Sequence, residues 1–70
     1  MARSPRYEIY EDSRKEWRFR LKAPNGEIIA SSEGYSSKQN AKKGIRAIKK
    51  YADSKLFEII DNTLIEIQKY

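Results

Sequence analysis

The sequence predicts a small α+β fold: a three-stranded antiparallel meander with one helix packed across one face (β-β-β-α), plus a short C-terminal strand or hairpin. Three observations carry this. Apolar residues alternate with period 2 through the first half of the chain, the period lengthens to 3.6 near Ser36, and β-branched and aromatic runs return after Lys55. Seventy residues are enough for one domain.

Residues 1–6 carry two arginines, a serine and a proline without apolar periodicity, and read as a flexible N-terminal arm. Tyr7-Glu8-Ile9-Tyr10-Glu11 alternates as a short strand, and Asp12-Ser13-Arg14-Lys15 turns the chain. Residues 16–22 are the clearest strand, with Trp17, Phe19 and Leu21 on one face and Arg18, Arg20 and Lys22 on the other. In Ala23-Pro24-Asn25-Gly26, proline fixes one φ and glycine accepts a positive one, as a tight turn requires. Residues 27–32 form the third strand.

The helix spans residues 37–51. Ser36 with Gln39 fits a capping box, and Ser37 with Asn40 fits it one residue on. Ala41, Gly44, Ile45, Ile48 and Ala52 make a narrow apolar stripe. Gly44 costs about 1 kcal/mol relative to alanine in a helix, which is explained if it makes room for a ring such as Trp17 or Phe19. Residues 56–70 read as a strand, the turn Asp61-Asn62, and a second strand, with an amphipathic helix as the competing reading. Either way these residues are too apolar to remain in water.

With no histidine and no cysteine, the chain lacks the means for a Cys/His zinc site, a thiol nucleophile or a Ser-His-Asp triad. No catalytic residue, metal ligand, cofactor or small-molecule substrate is expected. The absence of cysteine and of any run near 18 apolar residues predicts a soluble, cytoplasmic protein without a membrane partner. A chain of this size buries only about 60 % of its unfolded surface, and disulfides are excluded. A second copy is the expected source of added stability, giving a homodimer.

Tyr7-Glu8-Ile9-Tyr10, Trp17-Arg18-Phe19-Arg20-Leu21-Lys22-Ala23, Asn25-Gly26-Glu27-Ile28-Ile29, Ser31-Ser32-Glu33-Gly34-Tyr35-Ser36-Ser37-Lys38, Gly44-Ile45 and Asp61-Asn62-Thr63 occur in this order. Together they resemble the YegP-like family of small uncharacterised domains, over roughly residues 7–63. The resemblance implies a strand-strand-strand-helix unit closed by a short strand. It also implies one such unit or two in tandem per chain, so a single-unit chain should dimerise. No activity is assigned to that family, so no catalytic residue is carried over. Residues 64–70 extend past where single-unit members commonly stop, and an added dimer contact is the simplest role for them.

Charge is unevenly placed. Residues 36–55 hold seven basic residues and one acid, for +6, while the other fifty residues sum to −1. In the alternative to a dimeric interaction module, a nucleic-acid or other polyanion binder, the candidate residues are Lys38, Lys42, Lys43, Arg46, Lys49 and Lys50 on the helix, with Arg18, Arg20 and Lys22 on the strand. The commoner role of such a run is a solvated face. Glu58 or Glu66 folded back from the tail would also answer the helix charge, and Glu8 and Glu27 would answer the strand. Candidate dimer contacts are Tyr10, Leu56, Phe57, Ile59, Leu64, Ile65 and Ile67. Serines 31, 32, 36 and 37 at the strand-to-helix junction are expected to serve as caps and turn acceptors.

Overall fold

The computed structural model describes residues 4–68, so expectations for residues 1–3, 69 and 70 lie outside the described residues. Its elements in order are β1 (Arg6–Glu11), β2 (Trp17–Lys22), β3 (Ile28–Ser31), α1 (Lys38–Tyr51), β4 (Leu56–Ile60) and β5 (Thr63–Ile67). They form a three-stranded antiparallel sheet in the order β1-β2-β3 and a separate antiparallel hairpin, β4-β5. The α+β fold expected from the sequence is the fold observed, and the C-terminal segment is strands, not helix.

Alternation sets the register. Tyr7 faces Leu21 and Ile9 faces Phe19 on the helix side, while Glu8 faces Arg20 and Tyr10 faces Arg18 on the open side. β1 starts one residue earlier than expected. Arg6 pairs with Lys22 in the ladder and its Nε lies 2.8 Å from Glu8, so it belongs to the sheet and not to the arm. The first turn is closed by Asp12, whose Oδ1 accepts from the Arg14 and Glu16 amides at 2.8 and 2.9 Å. In the second, Gly26 takes φ 89° and donates its amide to the Ala23 carbonyl at 2.9 Å. β3 is shorter than the expected 27–32, because the register shifts between Leu21 and Lys22 and the regular ladder ends at Ser31.

Beyond β3 the chain keeps to β2. The Ser32 Oγ accepts from the Phe19 amide at 2.9 Å and donates to the Glu33 carbonyl, and Trp17 and Tyr35 exchange two backbone hydrogen bonds of 2.8 and 2.7 Å. This run delivers Tyr35 to the foot of the helix. The cap falls on Ser37, the later of the two positions: its Oγ accepts from the Asn40 amide at 3.0 Å, while the Asn40 amide group reaches back to Ser36.

α1 packs on β1 and β2 and makes no contact with β3. Ala41 is fully enclosed and Phe19 is 4 % exposed; among the described residues these two are the whole buried apolar core. Tyr7 meets the Phe19 ring edge-on and Tyr35 stacks on it at 6.1 Å. Gly44 admits this stack. A Cβ there would lie 2.5 Å from the Tyr35 hydroxyl and 3.0 Å from Phe19 Cε2, so the rings it accommodates are Phe19 and Tyr35; Trp17 is not among them. In Gly44→Ala the helix-propensity gain of about 1 kcal/mol is set against an overpacking cost of about 1–3 kcal/mol. The expected result is a melting temperature several degrees lower, at about 4–8 °C per kcal/mol, read by circular dichroism.

Asp61 and Asn62 both adopt positive φ, 49° and 61°, which makes a two-residue type I′ turn matched to the twist of β4 and β5. β5 runs through the expected boundary between residues 63 and 64. The hairpin contacts no other element. Accordingly the radius of gyration is 14.9 Å, against about 11 Å for a compact chain of this length.

Candidate functional site

Three surfaces merit comparison, beginning with the open face of the sheet. Glu8 accepts from Arg6 at 2.8 Å and from Arg20 at 2.7 Å, and lies 3.8 Å from the Lys22 ammonium. Asp12 takes Arg18 at 2.7 Å, and the Arg18 guanidinium also donates to the Ser32 carbonyl. The three strand cations are therefore answered, Lys22 by the longest of these contacts. Glu8 answers two of them as expected. The other partner is Asp12 instead of Glu27, because the first turn folds Asp12 toward the end of β2. Tyr10 is likewise occupied, its ring under the Arg20 guanidinium at 4.9 Å.

These contacts shift titrations. The Arg20 hydrogen bond, then those of Arg6 and the charge of Lys22, hold the Glu8 carboxyl below its ordinary range. The Arg18 guanidinium, with the Glu16 and Arg14 amides, does the same to Asp12, and Asp12 in turn raises Arg18. Carboxyls depressed in the folded state add stability that is present above their unfolded values and lost as pH falls through the folded ones. Thermal melts should therefore show a melting temperature that declines below about pH 4. Glu8→Gln should flatten part of that decline.

The second surface is α1. At about 100° per residue its six basic side chains fall on one arc of about 140°, opposite the stripe of Ala41, Gly44, Ile45 and Ile48. All six are exposed. Lys38 and Lys49 lean over the rings of Trp17 and Tyr7 at 4.9 and 5.7 Å, and Lys50 over Tyr51 at 5.3 Å. No described carboxylate forms a salt bridge with any of the six. The expected return of Glu66 to the helix does not occur: Glu66 lies 3.9 Å from Lys55 and accepts from Gln68. Nor is Glu58 among the groups paired with the helix.

The third surface is the hairpin. Leu56 and Ile67, Glu58 and Ile65, and Ile60 and Thr63 share one face; Phe57 and Glu66, and Ile59 and Leu64, share the other. Both faces are thus mainly apolar. Ile59 is 68 % and Leu64 64 % exposed, and Leu56, Phe57 and Ile65 are exposed as well; Ile67 is half-covered. Ile28 and Ile29 on β3, Ile48 of the expected apolar stripe and Tyr51 at the end of α1 are exposed too, although none of the four is among the expected dimer contacts. Of these, Ile48 lies on the stripe that faces the sheet, and the absence of contact between α1 and β3 among the described residues leaves it and the β3 pair exposed.

The profile of a Domain of unknown function (DUF1508) matches residues 12–58. The chain belongs to the DUF1508 family. The YegP-like resemblance is this same membership, and β5 lies beyond the matched residues. Among DUF1508 relatives, a UPF0339 protein of Neisseria meningitidis serogroup B is 54 % identical over 43 residues, 61 % of this chain and 77 % of its own length. Another, from Stutzerimonas stutzeri, is 50 % identical over 46 residues, which are 66 % of this chain but only 41 % of that protein. A solution NMR structure of a protein from Haloferax volcanii aligns with TM-score 0.72 at 38 % identity, covering 83 % of this chain and 98 % of that one. DUF1508 carries no assigned activity. Among the described residues no group of carboxylates is placed to hold a metal ion, and no helix is long and apolar enough to cross a membrane.

Proposed function

We propose that the chain is a non-catalytic, homodimeric interaction module whose two copies are joined through the β4-β5 hairpins. The observation that carries this is a hairpin apolar on both faces that packs on no other strand and not on the helix among the described residues. A flat partner covers one face of a hairpin, whereas a second copy offers two surfaces: the uncovered end of α1 at Ile48 and Tyr51, and the β3 edge at Ile28 and Ile29. Leu56, Phe57, Ile59, Leu64, Ile65 and Ile67 are the contact residues in this reading, with Ile60 added. Tyr10, already under Arg20, is left out.

The area fits. The accessible surface is 6095 Å², about 1,500 Å² more than a folded monomer of 8.2 kDa exposes. Two chains each hiding half of that excess would bury about 1,500 Å², the size of a specific interface. In the Stutzerimonas relative the matched 46 residues are 41 % of the length, which leaves room for a second segment of that size. Sedimentation equilibrium at micromolar concentration should give twice the 8.2 kDa chain mass. A species of single-chain mass at that concentration overturns the dimer.

The partition of charge supports a second reading, binding of a polyanion, nucleic acid among them. The cations of the strand face are answered within the chain, whereas Lys38, Lys42, Lys43, Arg46, Lys49 and Lys50 pair with no carboxylate among the described residues. This reading rests on the helix and does not use Arg18, Arg20 or Lys22. Retention on a heparin column at 50 mM salt tests it, and passage without retardation removes it.

A further inference from the structure

We infer that the outer face of α1 binds the phosphate backbone of duplex nucleic acid without reading sequence, through Lys42, Lys43, Arg46 and Lys50. The inference rests on the polyanion reading and goes further by choosing the ligand and the residues. Like charges at i, i+4, here Lys42, Arg46 and Lys50, repel across an exposed helix, so the row becomes favourable when anionic oxygens lie against it. Lys38 and Lys49 are drawn to the sheet edge by Trp17 and Tyr7, whereas Lys50, over the exposed Tyr51 of its own helix, stays with Lys42, Lys43 and Arg46 around the outward part of the arc.

The surroundings select a duplex over other polyanions. Single strands are held by rings on which bases stack, beside the cations. Here Tyr7 and Trp17 are half-buried and covered by lysines, and Tyr51, beside Lys50, is the one exposed ring on α1, so the cationic arc offers phosphate contacts with a single ring at its end and no row of rings on which successive bases could stack. An anionic membrane surface is held by apolar side chains next to the basic ones. The arc from Lys38 to Lys43 contains Gln39 as its other member and no apolar residue. A 14-residue helix is about 21 Å long and about 10–12 Å across, which suits a groove about 12 Å wide with phosphates on both walls. With one amide on the arc, contacts position the duplex and do not specify its bases.

The test is fluorescence anisotropy of the full chain with a labelled 20-base-pair duplex of mixed sequence and a single strand of equal length, across 50–200 mM salt. Four phosphate contacts give a log–log salt slope of about −3.6 and a loss of affinity of about 150-fold over that range. Lys42→Glu with Arg46→Glu should halve the slope and weaken binding at least tenfold. Both residues are exposed, and the reversal relieves repulsion, so an unchanged circular dichroism melt confirms that the variant is folded. Lys22→Gln, on the answered sheet face, should bind as the parent does. Retention on heparin without duplex binding at 50 mM salt overturns this inference and leaves the polyanion reading standing. So does tighter binding of the single strand, or a double variant that binds unchanged. No binding to either heparin or duplex overturns both.

Discussion

Phe19→Ala is expected to leave the chain largely unfolded at 25 °C. Removing a buried phenylalanine costs about 3–5 kcal/mol, and a domain of 70 residues has a total stability of about 4–10 kcal/mol. The stability falls near the lower end of its range because the core has so little else: among the described residues Ala41 is the other enclosed one, and Tyr7 and Tyr35 owe their places to the ring between them. Far-UV circular dichroism should lose most of its helical and sheet signal, and Phe19→Leu should recover part of it. A Phe19→Ala protein melting within a few degrees of the parent would mean that the two-residue core is not what holds helix to sheet.

The second large effect concerns Ile59→Asp with Leu64→Asp. These residues face each other on the more exposed side of the hairpin and are 68 % and 64 % exposed, so in the isolated chain the change costs only the repulsion of two facing carboxylates, about 0.2–1 kcal/mol and confined to the hairpin. An interface would not, because each carboxylate would be buried without a partner. Sedimentation should then show a chain of 8.2 kDa. Binding of a second copy stabilises by mass action, so the parent's melting temperature should rise with concentration and the variant's should not. A variant that still sediments at twice the chain mass would place the contact elsewhere, at β3 or the end of α1.

Much of this was legible in the residues. Strict alternation from Trp17 to Lys22 fixes the faces of the central strand, and the Asn25-Gly26 and Asp61-Asn62 pairs mark turns because few residues accept positive φ. The cationic helix was legible as a charge count. What escaped is non-local. Tyr35 lies under Gly44 because Ser32 and Tyr35 hydrogen-bond along β2 after regular pairing ends, and no period encodes that. Asp12 reaches Arg18 through a turn whose side-chain acceptor role is visible, but whose direction is not. Composition shows that the tail needs cover; it does not show that its own domain leaves it uncovered.

That separation also orders events in time. Within the body, each strand pairs with its sequence neighbour and α1 returns to β1 and β2, so the body closes through short loops and should form quickly, at a rate independent of dilution. In the dimer reading, covering the hairpin requires an encounter between two chains, and refolding should end in a second-order phase that slows as the protein is diluted. During that interval β5 is a free edge with Leu64, Ile65 and Ile67 and the single acid Glu66, and lacks a lysine or proline within the strand. Aggregation on rapid refolding at high concentration should therefore begin at the hairpin, and a charge introduced at Leu64 should suppress it.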